Sequence, residues 1–440
     1  MMVSHFPSPT SPPELGGTEG GRRGGRGERA SRTLSLKRNR PLRRLAMAQF
    51  VALAATYAIY LASMALVEEK THSSAQMGLM IFSSTLPGFL FGMLAGVVVD
   101  RYDRRHVLVI GNLLRLLVAI GFAAAAHWLG QPLPLLAAVY ASNFLLSTIA
   151  QFTTSAEGSL IPHTVPQERL LAANSIFQVA ALGAQGAGMV LLAPPLLRFG
   201  GALAVGAAAV PLFALAAWSC ARLPAWLGKG SKEQPPQTWA SLRDDLRAGW
   251  RFVAGDVSVR QAIGCLVLVS ALSLVLTTLI PGLAARAWGV PVEYVAYLAV
   301  PGGFGFGLGV WLVGQRGHML KEKAWISAGL LAVGGGLALL PALHALRDLY
   351  VPLFLLVSAG VGAGFALVIV PARTVVQERS PDEMRGRVIS TQMFLSNIAS
   401  TLPLPLTGGL ADLIGFQRIF ALLALVVLGV GAASVRHARG

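Results

Sequence analysis

A dense group of charged residues lies beside an apolar segment at residues 96–105. Its charged members are two aspartates and three arginines: Asp100, Arg101, Asp103, Arg104 and Arg105. Carboxylates and guanidinium groups at this spacing can form ion pairs and charge-assisted hydrogen bonds, and charge at the mouth of a membrane span is costly unless it is paired. The pattern therefore predicts an ordered turn between two helices, with electrostatic contacts as its chemistry.

A single cation, Arg115, lies inside the apolar segment 106–128. A charge within a membrane span is rare and normally faces a polar interior rather than lipid. Arg115 could hold Asp103 or bind an anionic substrate, and the residues alone leave both alternatives open.

Acids matter because a proton relay through a membrane normally uses a buried carboxylate. Glu157 and Glu378 fall near the ends of their apolar segments, and we place no acid clearly at mid-depth. Glu68 and Glu69, at the outer end of the first segment, are the remaining candidates for proton coupling. The sequence also lacks a phosphate-binding Gly-x-x-x-x-Gly-Lys-[Ser/Thr] loop, a nucleophile triad and a metal cluster, so we expect no enzymatic activity, no cofactor and no metal.

The composition shows which elements must position these groups. Hydrophobic residues make up 54% of the 440 residues and charged residues only 13%, whereas soluble domains carry about 25% charged residues. Apolar runs of roughly 20 residues, which span a bilayer as helices, predict an all-α membrane protein with twelve transmembrane helices. The predicted spans are 44–67, 76–99, 106–128, 133–153, 169–192, 201–221, 261–284, 293–313, 324–343, 349–370, 386–410 and 416–435.

The distribution of positive charge predicts the topology. With both termini in the cytoplasm, 30 of the 36 Lys and Arg residues fall on the cytoplasmic side. The five on the outer side are Lys70, Arg198, Arg286, Arg347 and Arg418. This asymmetry follows the positive-inside rule, so the net charge of +16 indicates membrane topology and not nucleic-acid binding. We expect a multi-pass protein of a bacterial inner membrane, with the lipid bilayer as its main partner and a monomeric state.

The chain divides into four regions: a disordered basic tail (1–40), a six-helix half (41–221), a cytoplasmic connector (222–260) and a second six-helix half (261–440). An offset of 215 residues places Gly88 on Gly303, Arg101 on Arg316 and Pro166 on Pro381. A constant offset between such landmarks indicates an internal repeat. Parallel repeats of this kind occur in transporters whose substrate site lies between the halves.

These residues resemble the major facilitator superfamily. The signature between its second and third helices is similar to Gly96-x-x-x-Asp100-Arg101-x-x-Arg104-Arg105. The stretches from Leu86 to Arg115, from Leu160 to Asn174 and from Ser380 to Val388 resemble more narrowly the drug and siderophore exporters that include enterobactin and macrolide efflux proteins. Two departures concern proton coupling: the second copy of the signature has Gln315 in place of the acid, and the first span reads Ala54-Ala55-Thr56 where many relatives have Gly-Asp.

The resemblance implies a conformational latch on the cytoplasmic side, made by Gly96, Asp100, Arg101, Arg104 and Arg105, which faces the start of the eleventh helix. Arg385, Gly386 and Arg387 lie near that start, where Ser380-Pro381-Asp382-Glu383 reads as a capping box. Arg385, Gly386 and Arg387 resemble a conformational hinge that belongs to the latch, and they could equally be plain topological charge. Polar and aromatic residues at mid-depth are candidates for a substrate pocket, although each could instead make an interhelical hydrogen bond. They are Tyr57, Tyr60, Tyr140, Asn143, Gln178, Gln185, Gln392 and Asn397.

Together these features predict a secondary transporter that exports a small amphipathic organic molecule by alternating access, with protons as the coupling ion. Two alternatives remain open. A transporter of a lipid-like solute such as a lysophospholipid would have a pocket open sideways to the bilayer. A membrane sensor or scaffold would keep the fold and lose transport.

Overall fold

The structure, a computed structural model, describes residues 39–166, 169–227, 239–316, 322–340 and 350–439. These residues form helices and turns and contain no strand, which confirms the all-α fold. The predictions for the basic tail before residue 39 and for residues 228–238 of the connector lie outside the described residues.

The first half consists of six α-helices and one π-helical segment. The helices are α1 (Arg40–Thr71), α2 (Ser74–Arg101), α3 (Arg104–Trp128), α4 (Pro132–Thr164), α5 (Leu170–Gly186) and α6 (Ala193–Ala221). The π-helical segment Ala187–Leu192 joins α5 to α6. Within α6 the chain turns sharply at Gly201, whose φ of 62° is readily available only to glycine. This turn separates the predicted spans 169–192 and 201–221.

The connector and second half contain eight described α-helices. They are α7 (Trp239–Gly255), α8 (Val257–Trp288), α9 (Val295–Arg316), α10 (Glu322–Leu339), α11 (Tyr350–Arg379), α12 (Asp382–Thr401), α13 (Leu404–Ile414) and α14 (Phe416–Arg439). The predicted span 386–410 is divided between α12 and α13 by a break at Leu402 and Pro403.

Eight helical stretches of the described residues are long and apolar enough to cross a membrane. One of them, Ala172–Ala221, has 50 residues and includes the turn at Gly201, so it covers two predicted spans. The membrane-helix fold is thus confirmed, while the full number of twelve spans stays a prediction.

The internal repeat is visible in the way the helices begin. α8 begins and ends 217 residues after α1, at 257 against 40 and at 288 against 71. Asn39 caps α1 and also donates to the carbonyl of Thr164 at the end of α4, at 2.7 Å. Correspondingly, Asp256 caps α8 and lies 3.9 Å from Arg379 at the end of α11. The same local contact therefore ties the first helix of each half to its fourth.

Small residues set the closest helix packing, as expected for helices in lipid. A side chain at Gly305 of α9 or at Gly362 of α11 would collide with the backbone of the other helix. Gly303 and Gly307 of α9 face open space, so the packing surface of α9 is the face that carries Gly305.

The helical bundle has two ends, which we call proximal and distal. The proximal end is where α1 begins, and the distal end is where α1 and α8 end and α2 begins. The side chains that could support function form three clusters. One lies at each end of the bundle, and the third lies between them.

Candidate functional site

The distal end joins the two halves through a group of polar side chains that we call the distal latch: Glu68, Ser73, Ser74, Arg286 and Asp412. Asp412 ends α13 and accepts hydrogen bonds from the backbone N–H groups of Ser74 and Ala75, both at 2.9 Å, and from the Ser73 hydroxyl at 2.8 Å. A carboxylate of one half therefore occupies the N-terminus of α2 in the other half, where the free N–H groups and the helix dipole favour negative charge.

Arg286 of α8 connects the other members of the latch. Its Nη1 lies 3.0 Å from Asp412 and 2.8 Å from the carbonyl oxygen of His72, while its Nε lies 3.1 Å from Glu68. A further hydrogen bond joins Arg286 to Ser74. The Glu68 side chain is only 3% exposed, and a buried carboxylate needs a counter-charge. Arg286 supplies that charge from the opposite half.

The hydrogen bonds of the latch hold Asp412 in its ionised form. Partial burial acts to raise the pKa of Asp412, but the bonds from Ala75, Ser74, Ser73 and Arg286 outweigh it and lower the pKa to about 2. The contribution of Asp412 to closure is therefore complete above its ordinary pKa of 3.8 and is lost only as the pH falls through about 2. Asp412 is a permanent charge near neutral pH.

Backbone contact between the halves accompanies these polar contacts. A Cβ atom at Gly78 of α2 would lie within 3.0 Å of the Leu404 carbonyl group, and one at Gly408 of α13 would lie within 3.0 Å of the Ser74 carbonyl group. α2 and α13 thus meet without intervening side chains, and the distal end is closed in this structure.

The predicted proximal latch is described only in part. Arg104 lies 3.0 Å from His163 of α4, and Arg105 donates to the carbonyl of Ala221 at the end of α6. Both contacts lie within the first half. Arg101 is exposed, and Gly96 has no neighbour within 4 Å of a Cβ position. The structure does not describe the side chain of Asp100, so a latch at this end stays a prediction.

The start of α12 differs from the predicted capping box. Pro381 is the residue before the helix and has no side-chain acceptor for the first turn; its carbonyl accepts hydrogen bonds from Met384 and Arg385. Ser380 is buried and has no such role. The Nε of Arg385 donates to the Gln377 carbonyl at 3.2 Å, Arg387 lies 3.8 Å from the Met384 sulfur, and Gly386 faces open space.

A third cluster lies inside the first half, around Arg115. The Arg115 side chain is 2% exposed and donates to Thr153 of α4 at 2.7 Å and to Asn112 at 3.3 Å. Glu157, one turn further along α4, is 8% exposed and acts electrostatically on Arg115. Asp103 instead caps α3 and faces His106. The alternative in which Arg115 holds Asp103 is therefore wrong, and Glu157 is the acid that accompanies Arg115 inside the first half.

The candidate pocket residues divide into bonded and exposed groups. Three are satisfied locally: Asn143 donates to Ser63 of α1 at 2.8 Å, Tyr140 bonds to Gln76 of α2 at 2.7 Å, and Gln392 donates to Ser396 at 2.9 Å. Three others have exposed side chains, namely Gln178, Gln185 and Asn397.

The remaining two pocket candidates, Tyr57 and Tyr60, lie one turn apart on α1. The π-helical segment approaches α1 at this level, because a Cβ at Gly188 would lie within 3.0 Å of Tyr57 and of the Ala54 backbone. π-helical turns are frequent at functional sites. Hydropathy does not reveal a π-helical segment; the glycines clustered at its start are the signal in the sequence.

Gln151 of α4 is a second residue that the sequence analysis did not single out. Its amide lies over α2, 3.6 Å from a Cβ position at Gly88 and 3.7 Å from one at Gly92. A polar side chain therefore packs over the face of α2 that carries these two glycines.

An apolar groove of about 670 Å³ runs along the outside of α3 and α4. Ile110, Leu114 and Leu117 of α3 and Leu145 of α4 form its exposed walls, and Tyr102, Asp103 and His106 lie at its proximal end. A smaller cavity of about 460 Å³ adjoins the distal latch and is lined by Glu68, Glu69, Glu293 and His72, among others.

Two helical halves joined at one end by polar contacts are the arrangement found in transporters built from parallel repeats. The chain belongs to the Major Facilitator Superfamily, whose sequence profile matches residues 45–403. It is therefore a multi-pass membrane transporter of small molecules and not an enzyme.

Similar proteins agree with this assignment. An uncharacterized transporter of the same superfamily from Mycobacterium tuberculosis is 28% identical over 363 residues, which cover 79% of this chain and 78% of that protein. The enterobactin exporter EntS of Salmonella typhimurium is 26% identical over 419 residues, covering 90% and 94% of the two chains. A bacterial homologue of the iron transporter ferroportin, solved in an inward-facing state, has the same fold with a TM-score of 0.70 and 17% identity, covering 91% of this chain and 99% of its own.

Proposed function

We propose that this protein is a secondary active transporter that exports a small amphipathic organic molecule, such as a drug or a siderophore, across a bacterial inner membrane in exchange for protons. The observation that carries the proposal is the distal latch, a set of contacts between the halves that is fully formed at one end. The positive-inside distribution of Lys and Arg assigns the proximal end to the cytoplasm. The latch is then the outer gate, and the structure is closed to the outside.

Alternating access follows from the parts of this gate. In the closed state, Arg286 pairs with the buried carboxylate of Glu68, and Asp412 accepts a hydrogen bond from the N-terminus of α2. Both partners belong to the first half. Opening exposes Glu68 and the N-terminus of α2 to water, which replaces the lost hydrogen bonds. The two states therefore differ by a small net free energy, and substrate binding or protonation can shift the balance.

Between the two acids proposed for proton coupling, the geometry favours Glu68. Its carboxylate is buried and pairs with Arg286 from the other half, whereas Glu69 is 65% exposed and pairs with the neighbouring Lys70 at 2.8 Å. Protonation of Glu68 removes the charge that Arg286 needs, so it favours the open outer gate. Protonation of Glu69 changes no contact between the halves.

The substrate would bind between the halves, near Tyr57 and Tyr60 of α1 and the exposed amides Gln185 and Asn397. Aromatic faces together with amide donors and acceptors suit an amphipathic molecule. The similarity to the enterobactin exporter supports export and a siderophore-like or drug-like substrate.

The test is an accumulation screen of drugs and siderophores in an efflux-deficient host, with and without a proton uncoupler, followed by efflux from proteoliposomes. Glu68→Gln should abolish uncoupler-sensitive efflux and leave downhill exchange intact, while the matched control Glu69→Gln should behave like the unmutated protein. Full pH-driven efflux by Glu68→Gln would exclude this residue as the coupling site. Absence of any pH dependence in the unmutated protein would refute the antiport mechanism.

A second candidate function, movement of a lipid-like solute, is favoured by the apolar groove between α3 and α4. A groove of this size beside the bilayer could hold an acyl chain, with its polar group at Asp103 and His106. Substitution of Leu114 and Leu117 by Trp would fill the groove. Loss of transport of a fluorescent lysophospholipid in these variants, with no dependence on pH, would favour this function over drug or siderophore export.

A further inference from the structure

We propose that Glu157 is a proton-binding site of the first half, with Arg115 as the charge that sets its occupancy. This inference rests on the proposed proton-coupled function and assigns to it a second acid, distinct from the distal latch. Both side chains are nine-tenths or more buried, and both belong to helices that are long and apolar enough to cross a membrane. An ionisable group in such a position indicates function, because burial without a role is costly.

The helix directions bring the two groups to one depth. Arg115 lies eleven residues after the start of α3, about 16 Å from the proximal end at a rise of about 1.5 Å per residue. Glu157 lies seven residues before the end of α4, about 10 Å from the same end. Side chains lean toward the N-terminus of their helix, so Arg115 leans to the proximal side and Glu157 to the distal side. They converge between the two levels.

The contacts of Arg115 leave room for a second partner. Its two terminal nitrogens donate to Thr153 and Asn112, while its Nε is buried and has no hydrogen-bond partner. Among the ion pairs of the described residues, none joins Arg115 directly to Glu157, although each charge acts on the other. This differs from Glu68, which contacts Arg286 at 3.1 Å. Glu157 can thus gain or lose a proton without breaking a direct ion pair.

The groups that face Glu157 are few. Arg115 is the charged side chain that acts on it from α3, and the buried thiol of Cys220 faces it from α6. Among the described side chains, no titratable group of α1, α2 or α5 acts on Glu157. The protonation of Glu157 therefore depends on how closely Arg115 approaches it. A rearrangement of α3 against α4 would change that distance.

The reaction is the reversible binding of one proton by the Glu157 carboxylate, with no other bond formed or broken. In exchange for exported substrate, a proton bound at this site leaves toward the proximal side, the end of α4 nearer to Glu157. Glu68 lies at the opposite end of the first half, so the two acids serve the two faces of the membrane.

The test combines infrared titration with transport, in the purified protein reconstituted in liposomes. Acidification should produce a carboxylic-acid band that is absent from Glu157→Gln and retained in Glu378→Gln, a control for an exposed acid at the end of α11. Glu157→Gln should also lose uncoupler-sensitive efflux and keep downhill exchange. The titration needs no transport, so it distinguishes failure of this inference from failure of the proposed function.

A charge-balanced variant separates proton binding from structural pairing. Glu157→Gln alone leaves Arg115 buried with one charge less beside it, and this can prevent folding. Arg115→Gln combined with Glu157→Gln removes both charges and should fold, exchange substrate downhill and show no pH-driven efflux. An unchanged infrared band in Glu157→Gln, or pH-driven efflux by the double variant, would show that Glu157 only balances Arg115 and would overturn the inference.

Discussion

At the scale of single residues, Arg286 is the side chain on which closure of the distal end depends most. From the sequence it is one of five cations on the outer side, with nothing to distinguish it from Arg198 or Arg418. In the structure it connects Glu68, Asp412, Ser74 and the carbonyl of His72. Its importance comes from contacts between positions more than 100 residues apart, which no local pattern reveals.

Replacement of this residue gives the first prediction. Arg286→Gln leaves Glu68 without its counter-charge and removes a bond to Asp412, and hydrogen bonds to charged groups contribute about 1.5–3 kcal/mol each. We expect labelling of a Leu404→Cys reporter by a membrane-impermeant thiol reagent to increase about tenfold or more, because Leu404 is fully buried when the distal end is closed. Arg418→Gln, an exposed arginine at the same end, is the matched control. Equal labelling in both variants would show that Arg286 does not hold the distal end closed.

The two acids of the latch should respond differently to pH. Because the pKa of Asp412 is about 2, Asp412 stays ionised near neutral pH, and Asp412→Asn should loosen closure by the same factor at every pH tested above its ordinary pKa of 3.8. Glu68→Gln should instead remove the pH dependence of closure. The measurement is the labelling rate of the Leu404→Cys reporter as a function of external pH. A pH-dependent effect of Asp412→Asn near neutrality would contradict this assignment.

At the scale of helices, the distal seal between α2 and α13 depends on a glycine where the backbones meet. Gly408→Val would place a branched side chain against the Ser74 carbonyl group, so the distal end could not close. We expect loss of transport together with increased distal labelling. Gly409→Ala is the control, since its Cβ would lie 3.9 Å from that of Ala75, an ordinary contact. Normal transport by Gly408→Val would show that α2 and α13 need not approach so closely.

The contact of the π-helical segment with α1 gives a prediction about stability. Gly188→Ala would place its methyl group within 3.0 Å of the Ala54 backbone and of Tyr57, and overpacking of this kind costs about 1–3 kcal/mol. A thermal-unfolding assay in detergent should show a lower midpoint for Gly188→Ala and no change for Gly186→Ala, whose Cβ would meet nothing within 4 Å. Equal midpoints would mean that the segment adjusts without cost.

The boundaries of the helices show what the sequence patterns can predict. Apolar runs located most helices to within a few residues, because burial in lipid follows composition directly. The run 133–153 was too short, since α4 continues to Thr164 through a polar stretch. Polar side chains in that stretch bond within the protein: Thr153 donates to the Ile149 carbonyl and Ser159 to that of Ser155. Hydropathy does not account for hydrogen bonds made inside the protein. The apolar pattern therefore ends this helix at residue 153 and places Glu157 near a helix end.

At the scale of the whole molecule, the repeat and the latch follow different rules. The contacts of Asn39 and Asp256 recur in both halves, so they belong to the repeated unit. The latch is present once: the position 217 residues before Arg286 is Glu69, which pairs only with its neighbour among the described ion pairs. The repeat therefore predicts the fold of each half, while the gate between the halves arises where the two copies have diverged.

The central claim is that transport requires the distal end to open and close between the halves, and a reversible cross-link tests it most directly. A Cβ at Gly409 lies 3.9 Å from that of Ala75, within the range of about 3.5–4.5 Å found in disulfides. Oxidation of the double variant Ala75→Cys and Gly409→Cys should abolish efflux from proteoliposomes, and reduction should restore it, while each single variant stays active under the same oxidant. Full efflux by the completely cross-linked protein would contradict the account.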